Sequence, residues 1–217
     1  MDKNPQKIKE MFNKIARVYD FNNNLMSFGQ HVRIKKQAVN FLNAHGAKVL
    51  DLCTGTGDIA GFIDKSCEVT GLDFSKKMLE IAQKKYPWVN FIEGDCTNLP
   101  FKDNSFDIVT ISFGLRNIEN YDKALDEIYR VLKPNGLFMH LDFGKKNILG
   151  DFIFDIIIPP LVKIFYKDYL PYEYLIKSKK IFFNEKMLIE LFERHNLKLK
   201  EKHTMLFGGA GCQICKK

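Results

Sequence analysis

A glycine turn behind a short apolar run is the feature of this sequence with the clearest chemical meaning. The apolar residues of 49–52 predict a buried parallel strand that carries Asp51, and Gly55 and Gly57 follow it directly. Glycine lets the backbone turn tightly and approach a ligand without an intervening Cβ. The amides that open the next helix can then meet a carboxylate or a phosphate. The segment therefore predicts a ligand-binding turn between a strand and a helix.

Three aspartates lie at or near the carboxyl ends of successive predicted strands. Asp51 lies within the first strand, Asp73 closes the run 69–72, and Asp95 comes after 89–94. Because the carboxyl ends of the strands line one crevice in a doubly wound sheet, we expect the three carboxylates to converge on one ligand. The sulfonium, ribose diol and adenine amino group of S-adenosylmethionine suit such carboxylates. Each aspartate taken singly could instead be a helix N-cap.

The glycine spacing alone leaves the cofactor open. Gly55, Gly57 and Ala60 also satisfy the dinucleotide fingerprint, so a nicotinamide dehydrogenase stays an alternative to a methyltransferase. A carboxylate beside the loop would repel a pyrophosphate. Asp51 therefore favours methyl transfer.

The bulk properties predict one enzyme-sized domain over residues 1–217. Of the residues, 46% are hydrophobic and 27% charged, which is ample for a single core. The formal net charge of +7 is compatible with nucleic acid, an acidic substrate or an anionic membrane, and it does not choose among them. The lysines are scattered rather than clustered, which is typical of solvated faces.

The cysteines predict a reduced, cytoplasmic protein. Five cysteines stand at irregular positions, and the charged amino terminus has no apolar leader. Cys212 and Cys215 form a CxxC, but no second pair stands at zinc spacing. We interpret them as ordinary strand cysteines and expect no metal site.

The order of the periodic segments predicts a parallel α/β sheet. Two helices occupy 4–44 before the first strand. Beyond the glycine turn we expect strands at about 67–72, 89–93, 106–112 and 137–143. We expect one helix at 75–86 and a second helix with Ala124, Leu125, Ile128 and Leu132 on one face. A turn at 134–136 follows the second helix. A helix at about 184–195 then precedes two strands near 197–206 and 210–215.

The segment at about 150–183 breaks this rhythm. It is strongly apolar at 152–166 but is interrupted by Asp155 and two prolines. Spanning a bilayer needs about 20 apolar residues, so this stretch is too short and too broken. Two interpretations stay open, namely a substrate-covering insertion and a core helix capped by a turn.

Several motifs together resemble the ubiquinone and menaquinone biosynthesis C-methyltransferase family, most of all its demethylmenaquinone methyltransferases. The matching segments are 12–20, 24–27 with Gly29, 51–58, 73–75 with 78–79, 99–101, 104–107, 110–117, 123–125 and 129–134. The resemblance implies the class I S-adenosylmethionine-dependent methyltransferase fold, a mostly parallel seven-stranded sheet with helices on both faces and an antiparallel terminal strand. Such coverage exceeds what a shared cofactor loop requires.

The resemblance also implies the cofactor contacts. Thr56 with the adjacent Gly55 and Gly57 is expected at the methionine part of S-adenosylmethionine, and Asp73 at the ribose hydroxyls. Asp95 with Cys96 is expected at the adenine, where Cys96 would offer its backbone N–H and not its thiol. Ser112 completes the set.

The family's reaction methylates a ring carbon of a polyprenylated quinol. We assign Arg116 and Asn117 to orienting the substrate and stabilising developing oxyanion charge. Arginine stays protonated, so a water held by these two residues, or Tyr19, is the better proton relay. Tyr19 is also expected to shield the sulfonium from water. The alternative for Arg116 is a structural salt bridge.

The resemblance to the shorter, menaquinone-only members implies conversion of demethylmenaquinol to menaquinol as the first expectation. A related benzoquinol of ubiquinone biosynthesis is the alternative, because the chain departs from the family pattern at Ile34, at 144–146, at 183–185 and in its polar ending. Another small-molecule acceptor and a non-catalytic cofactor-binding protein are further alternatives. We expect no nucleic-acid partner, since no added RNA-binding domain is evident. Peripheral contact with the inner face of the membrane, and a homodimer, are compatible with the sequence.

Overall fold

The computed structural model describes residues 3–144 and 170–217. Two helices, α1 (Pro5–Ser27) and α2 (Gln30–Leu42), precede the first strand. The order continues with β1 (Lys48–Leu52), α3 (Asp58–Phe62), β2 (Glu68–Asp73), α4 (Lys76–Lys85), β3 (Asn90–Glu93), β4 (Phe106–Ser112), α5 (Tyr121–Val131) and β5 (Leu132–Phe143). The described chain then resumes with α6 (Leu170–Ile181), α7 (Glu185–Arg194), β6 (Lys198–Met205) and β7 (Ala210–Lys216).

The strands form one seven-stranded sheet in the order β3-β2-β1-β4-β5-β7-β6. Neighbours from β3 to β5 are parallel, and β7 lies antiparallel between β5 and β6. The predicted mostly parallel sheet with an antiparallel terminal strand is confirmed. The strand order reverses between β1 and β4, so a crevice opens at their carboxyl ends.

Side chains alternate between two cores, one on each face of the sheet. In β1, Leu50 and Leu52 enter one core, and Val49 enters the other. The first core is completed by α5 and α7, through residues such as Leu125 and Phe192. Burial on both faces explains why these strands are continuous apolar runs and not alternating ones.

The fifth strand differs from its prediction. It begins at Leu132, which was expected in the preceding helix, and not at 137. Asn135 has a φ of 66°, and the pairing with β4 shifts register between Phe106 and Ile108. The predicted turn at 134–136 is therefore a bulge within a longer strand, because the chain regains its pairing with β4 after the irregularity.

The expected insertion at about 150–183 falls largely outside the described residues, which resume only at 170. Its last part is α6. Cys212 and Cys215 lie on β7 with both side chains buried, so the interpretation as strand cysteines is confirmed. No helix within 3–144 or 170–217 is long and apolar enough to cross a membrane.

Candidate active site

A cavity of about 320 Å³ lies at the carboxyl ends of the central strands. Its volume is at the lower end of the range for small-molecule sites. One side is formed by the loops after β1, β2, β3 and β4, and the other by residues 5–19 of α1. Seven of the residues expected at the site line it, namely Tyr19, Gly55, Asp73, Asp95, Cys96, Ser112 and Asn117.

The loop after β1 uses its two glycines differently. Both have positive φ, +57° at Gly55 and +83° at Gly57. A Cβ on Gly55 would meet open space, whereas one on Gly57 would lie 2.8 Å from the Phe91 ring. Gly55 therefore leaves room at the cavity wall, and Gly57 lets the loop pack on the sheet.

Asp73 is held at the cavity by backbone donors. Its two carboxylate oxygens accept from the N–H of Ser75 at 2.8 Å and of Gly55 at 2.9 Å. Burial raises the pKa of Asp73 to about 6, although these amides oppose the rise. Each oxygen keeps a lone pair for a ligand hydroxyl. Asp95 is exposed and accepts from the Thr97 N–H at 2.8 Å.

Asp51 lies behind the cavity wall. Its carboxylate accepts from the hydroxyls of Thr54 at 2.5 Å and Thr110 at 2.6 Å, and only 1% of the residue is exposed. Burial raises its pKa to about 6. The structure thus brings Asp73 and Asp95 together at the cavity and uses Asp51 to tie the loop to β4.

Two cysteines and a serine form the floor of the cavity. Cys53, which sequence reasoning passed over, has a φ of 52° and lines the cavity beside Cys96. A hydrogen bond with Cys96, together with burial, raises the pKa of the Cys53 thiol well above its usual range, which favours the thiol over the thiolate. Ser112 Oγ is buried without a hydrogen-bond partner among the described residues.

Helix α1 covers the cavity with aromatic side chains. Tyr19 and Phe12 both line it, and their rings meet edge to face at 6.2 Å. The Phe12 ring also lies 6.5 Å from that of Phe74, which follows β2. At the same helix, Asn13 accepts from the Ser75 hydroxyl at 2.8 Å.

Asp20 fastens the second half of α1 to the glycine loop. It accepts from the Thr56 hydroxyl at 2.6 Å and pairs with Lys85 at 2.6 Å. Lys85 also pairs with Asp58 at 2.7 Å, as does Lys35 at 2.8 Å. Burial by itself raises the pKa of Asp58, but the two lysines bring it down to about 2. The side chain of Thr56 therefore faces α1 and not the cavity, and Gly57 is likewise absent from the cavity lining.

Arg116 sits beside the cavity in a buried ion pair. Its Nη1 donates to Asp142 Oδ1 at 2.5 Å, and its guanidinium lies over the rings of Phe113 and Phe143 at 5.7 and 4.9 Å. Only 5% of Arg116 is exposed, and it does not line the cavity. The salt bridge that was the structural alternative for this residue is thus present.

Asn117 is the member of that turn that lines the cavity. It lies in a 3₁₀ turn, Leu115–Asn117, directly after β4. Its Oδ1 accepts from the Tyr174 hydroxyl at 3.2 Å, and its Nδ2 donates to the Phe113 carbonyl at 3.4 Å. Arg116 and Tyr174 thus hold the turn that presents Asn117.

Besides the lining residues Cys53 and Phe12, sequence reasoning missed three supporting residues. Asp20, Asp142 and Tyr174 lie far along the chain from their partners at the site. One signal was available for Asp142, since a buried arginine requires an anion and Asp142 ends the neighbouring strand.

The residues present fit S-adenosylmethionine. Asp73 offers free acceptor positions where a diol donates, Gly55 leaves open space, and Ser112 Oγ is an orphaned polar atom in the wall. The cofactor contacts of all eight expected residues stay predictions, and Asp51, Thr56 and Gly57 do not line the cavity.

Comparison with known proteins shows the family. A family model described as the ubiE/COQ5 methyltransferase family matches residues 1–217. The demethylmenaquinone methyltransferase of Bacillus pumilus is 37% identical, over 98% of this chain and 97% of the relative. That of Bacillus subtilis is 36% identical over 98% of both chains.

Solved structures support the fold. A SAM-dependent methyltransferase of Thermotoga maritima has a TM-score of 0.71 at 21% identity, covering 96% of this chain and 99% of the other. A SAM-dependent methyltransferase of Aquifex aeolicus has a TM-score of 0.59 at 17% identity, covering 98% of each. The predicted class I methyltransferase fold is confirmed.

Proposed function

Since this chain belongs to the ubiE/COQ5 methyltransferase family and is an S-adenosylmethionine-dependent methyltransferase, we propose that it methylates demethylmenaquinol to menaquinol. The observation that carries the proposal is the similarity to demethylmenaquinone methyltransferases over nearly the full length of both chains. A polyprenylated naphthoquinol is thereby the proposed acceptor.

Bound S-adenosylmethionine supplies a methyl group activated by its sulfonium. The protein has to align the ring carbon with that methyl and exclude water. Asp73 binds the ribose hydroxyls, Asp95 and Cys96 bind the adenine, and Ser112 completes the cofactor contacts. Tyr19 and Phe12 close the cavity from α1, which keeps bulk water from the reacting atoms.

Asn117 contacts the quinol hydroxyl in this proposal. It already lines the cavity, and its amide can donate to the quinol oxygen, which becomes negatively charged as its hydroxyl proton leaves and so raises the electron density of the attacking ring carbon. Arg116 orients the turn through its pair with Asp142 and adds a positive field beside that oxygen. A water held at Asn117, or the Tyr19 hydroxyl, relays the hydroxyl proton to solvent, and the proton on the methylated ring carbon leaves after the methyl group has moved from sulfur to carbon.

We also propose peripheral contact with a membrane, because a polyprenylated quinol partitions into lipid. The apolar segment at 152–166 lies outside the described residues. A homodimer stays part of the proposal without a surface assigned to it.

The test is methyl transfer from labelled S-adenosylmethionine to detergent-solubilised demethylmenaquinol. Label on the reduced naphthoquinol, and none on the oxidised quinone, is expected, because the attacking carbon needs the electron density of a neighbouring hydroxyl. A demethoxybenzoquinol serves as the competing acceptor. Preference for it would overturn the naphthoquinol assignment.

Two measurements distinguish a wrong cofactor site from a wrong acceptor. If calorimetry shows that S-adenosylmethionine binds but no methyl group is transferred to either quinol, the assignment of the cofactor site is retained and the quinol acceptor is rejected. Asp73→Ala is the control for specific binding, since it removes the ribose acceptor and should abolish the heat of binding.

A further inference from the structure

The outer face of α1 carries an exposed apolar stripe. Val18, Phe21, Leu25 and Phe28, just past the helix end, are 38%, 63%, 37% and 74% exposed. Their spacing of three, four and three residues places them on one face. Two largely exposed phenylalanines within eight positions form a patch of the kind that marks an interaction surface.

The opposite face of the same helix lines the cavity. Pro5, Phe12 and Tyr19 recur at intervals of seven and point to the cofactor side. At 100° per residue, Tyr19 lies about 160° around the helix from Phe21. One helix therefore separates the exposed stripe from the candidate active site.

Basic side chains continue the outer face toward the amino terminus. Lys14 and Arg17 are exposed and lie within about 60° of Phe21 around the helix, and Glu10 is the acidic residue on the same face. The face is thus net positive as well as apolar. The whole chain carries a formal net charge of +7, which attracts an anionic surface and repels a second copy.

We propose that this outer face of α1 docks onto an anionic lipid bilayer. Phe21 and Phe28 insert at the level of the headgroups, and Lys14 and Arg17 pair with lipid phosphates. The inference deepens the proposed membrane contact and rests on the proposed function for its purpose, since it places the wall of the active site beside the lipid that holds a prenylated quinol.

The experiment is cosedimentation of the full chain with vesicles. Wild-type protein is expected to bind mixed phosphatidylcholine and phosphatidylglycerol vesicles and to dissociate at high salt, because the charge contribution is screened. Phe21→Ser with Phe28→Ser should lower the partition coefficient about tenfold or more. Lys14→Gln with Arg17→Gln should lower it and weaken its salt dependence.

Met187→Ser is the matched control, because Met187 is 46% exposed on α7 and lies off the stripe. It should bind vesicles as the wild type does. Unchanged binding of the double phenylalanine variant, or equal binding to pure phosphatidylcholine, would overturn the proposal. So would a wild-type dimer that this variant converts to a monomer without any vesicle binding, since the face would then join two copies.

The proposed reaction is tested separately in detergent. The double phenylalanine variant should methylate detergent-solubilised demethylmenaquinol at the wild-type rate and lose rate only with vesicle-borne quinol. If the wild type binds vesicles but methylates no quinol, the docking surface is retained and the proposed reaction is rejected.

Discussion

At the scale of single residues, the two loop glycines make different contributions. Gly57→Ala should lower the free energy of unfolding by about 1–3 kcal/mol more than Gly55→Ala does, because its Cβ meets Phe91 and Ala82 while both share the positive φ. Gly55→Ala should instead weaken cofactor binding by filling space at the cavity wall. Urea unfolding and calorimetry measure the two effects, and equal stability of the variants would contradict this account.

The contribution of the Arg116–Asp142 ion pair to folding can be separated from its contribution to catalysis. Arg116→Ala leaves a buried carboxylate without its cation, so the free energy of unfolding should fall by about 3–5 kcal/mol. Urea unfolding measures the loss. A change below about 1 kcal/mol would mean that the ion pair is not maintained in solution.

The control is Arg116→Met combined with Asp142→Asn, which removes both charges. Most of the lost stability should return, because no unpaired charge stays buried. Methyl transfer by this folded variant then decides the proposed role of Arg116. A slow variant with unchanged cofactor affinity supports a contribution to turnover, whereas a normal rate assigns the pair to folding alone.

Seven of the 22 residues that line the cavity were predicted, whereas the other lining residues and the supports behind the wall were not. Gly55, Asp73 and Asp95 follow from strand ends and turn glycines, which are local in the sequence. The place of Asp51 behind the wall was not predictable, because its partner Thr110 is on another strand. Only the packed sheet brings that hydroxyl to the carboxylate.

At the scale of elements, the attachment of α1 decides how the cavity closes. Asp20→Asn weakens the contact with Lys85 and Thr56, so cofactor affinity should fall about fivefold, equivalent to roughly 1 kcal/mol. Hydrogen exchange of the amides of α1 should increase in parallel. Calorimetry with S-adenosylmethionine measures the affinity.

Glu10→Gln is the control for a charge change on the same helix. Glu10 is exposed on the outer face and accepts from Gln6 within α1, so its substitution leaves the attachment intact. Equal losses of affinity in the Asp20 and Glu10 variants would show that the effect comes from net charge and not from the attachment.

The elements themselves were largely predictable from periodicity and caps. Ser75, Asn120 and Asn184 each cap a helix by accepting from a backbone N–H three residues on, as residues of their type commonly do. The long fifth strand was not predictable, because the glycine turn at 134–136 indicates a break that pairing with β4 overrides. At 134–136, strand pairing therefore outweighs the local turn propensity.

At the scale of the whole molecule, buried carboxylates couple stability to pH. The pKa of Asp73 is about 6 in the folded chain against an ordinary value of 3.8, so the folded state holds its proton more tightly than the unfolded state. Stability from this group is therefore greatest at low pH and falls as pH rises from about 4 to about 6. The pKa of Asp51 is also raised to about 6, so its contribution to stability changes with pH in the same direction. The pKa of Asp58 is lowered to about 2, so its contribution to stability is lost only in strong acid.

Comparing the wild type with Asp73→Asn isolates the pH dependence of stability that comes from Asp73. Between pH 5 and pH 7.5, the cofactor-free wild type should lose about 1–2 kcal/mol of unfolding free energy relative to the variant, because only the wild type must ionise a buried carboxylate. Urea unfolding at both pH values measures the difference. Saturating S-adenosylmethionine should remove the loss, since the ribose hydroxyls donate to the ionised form. A pH-independent difference between the two proteins would place the Asp73 carboxylate in contact with water and not in the buried position that the fold assigns to it.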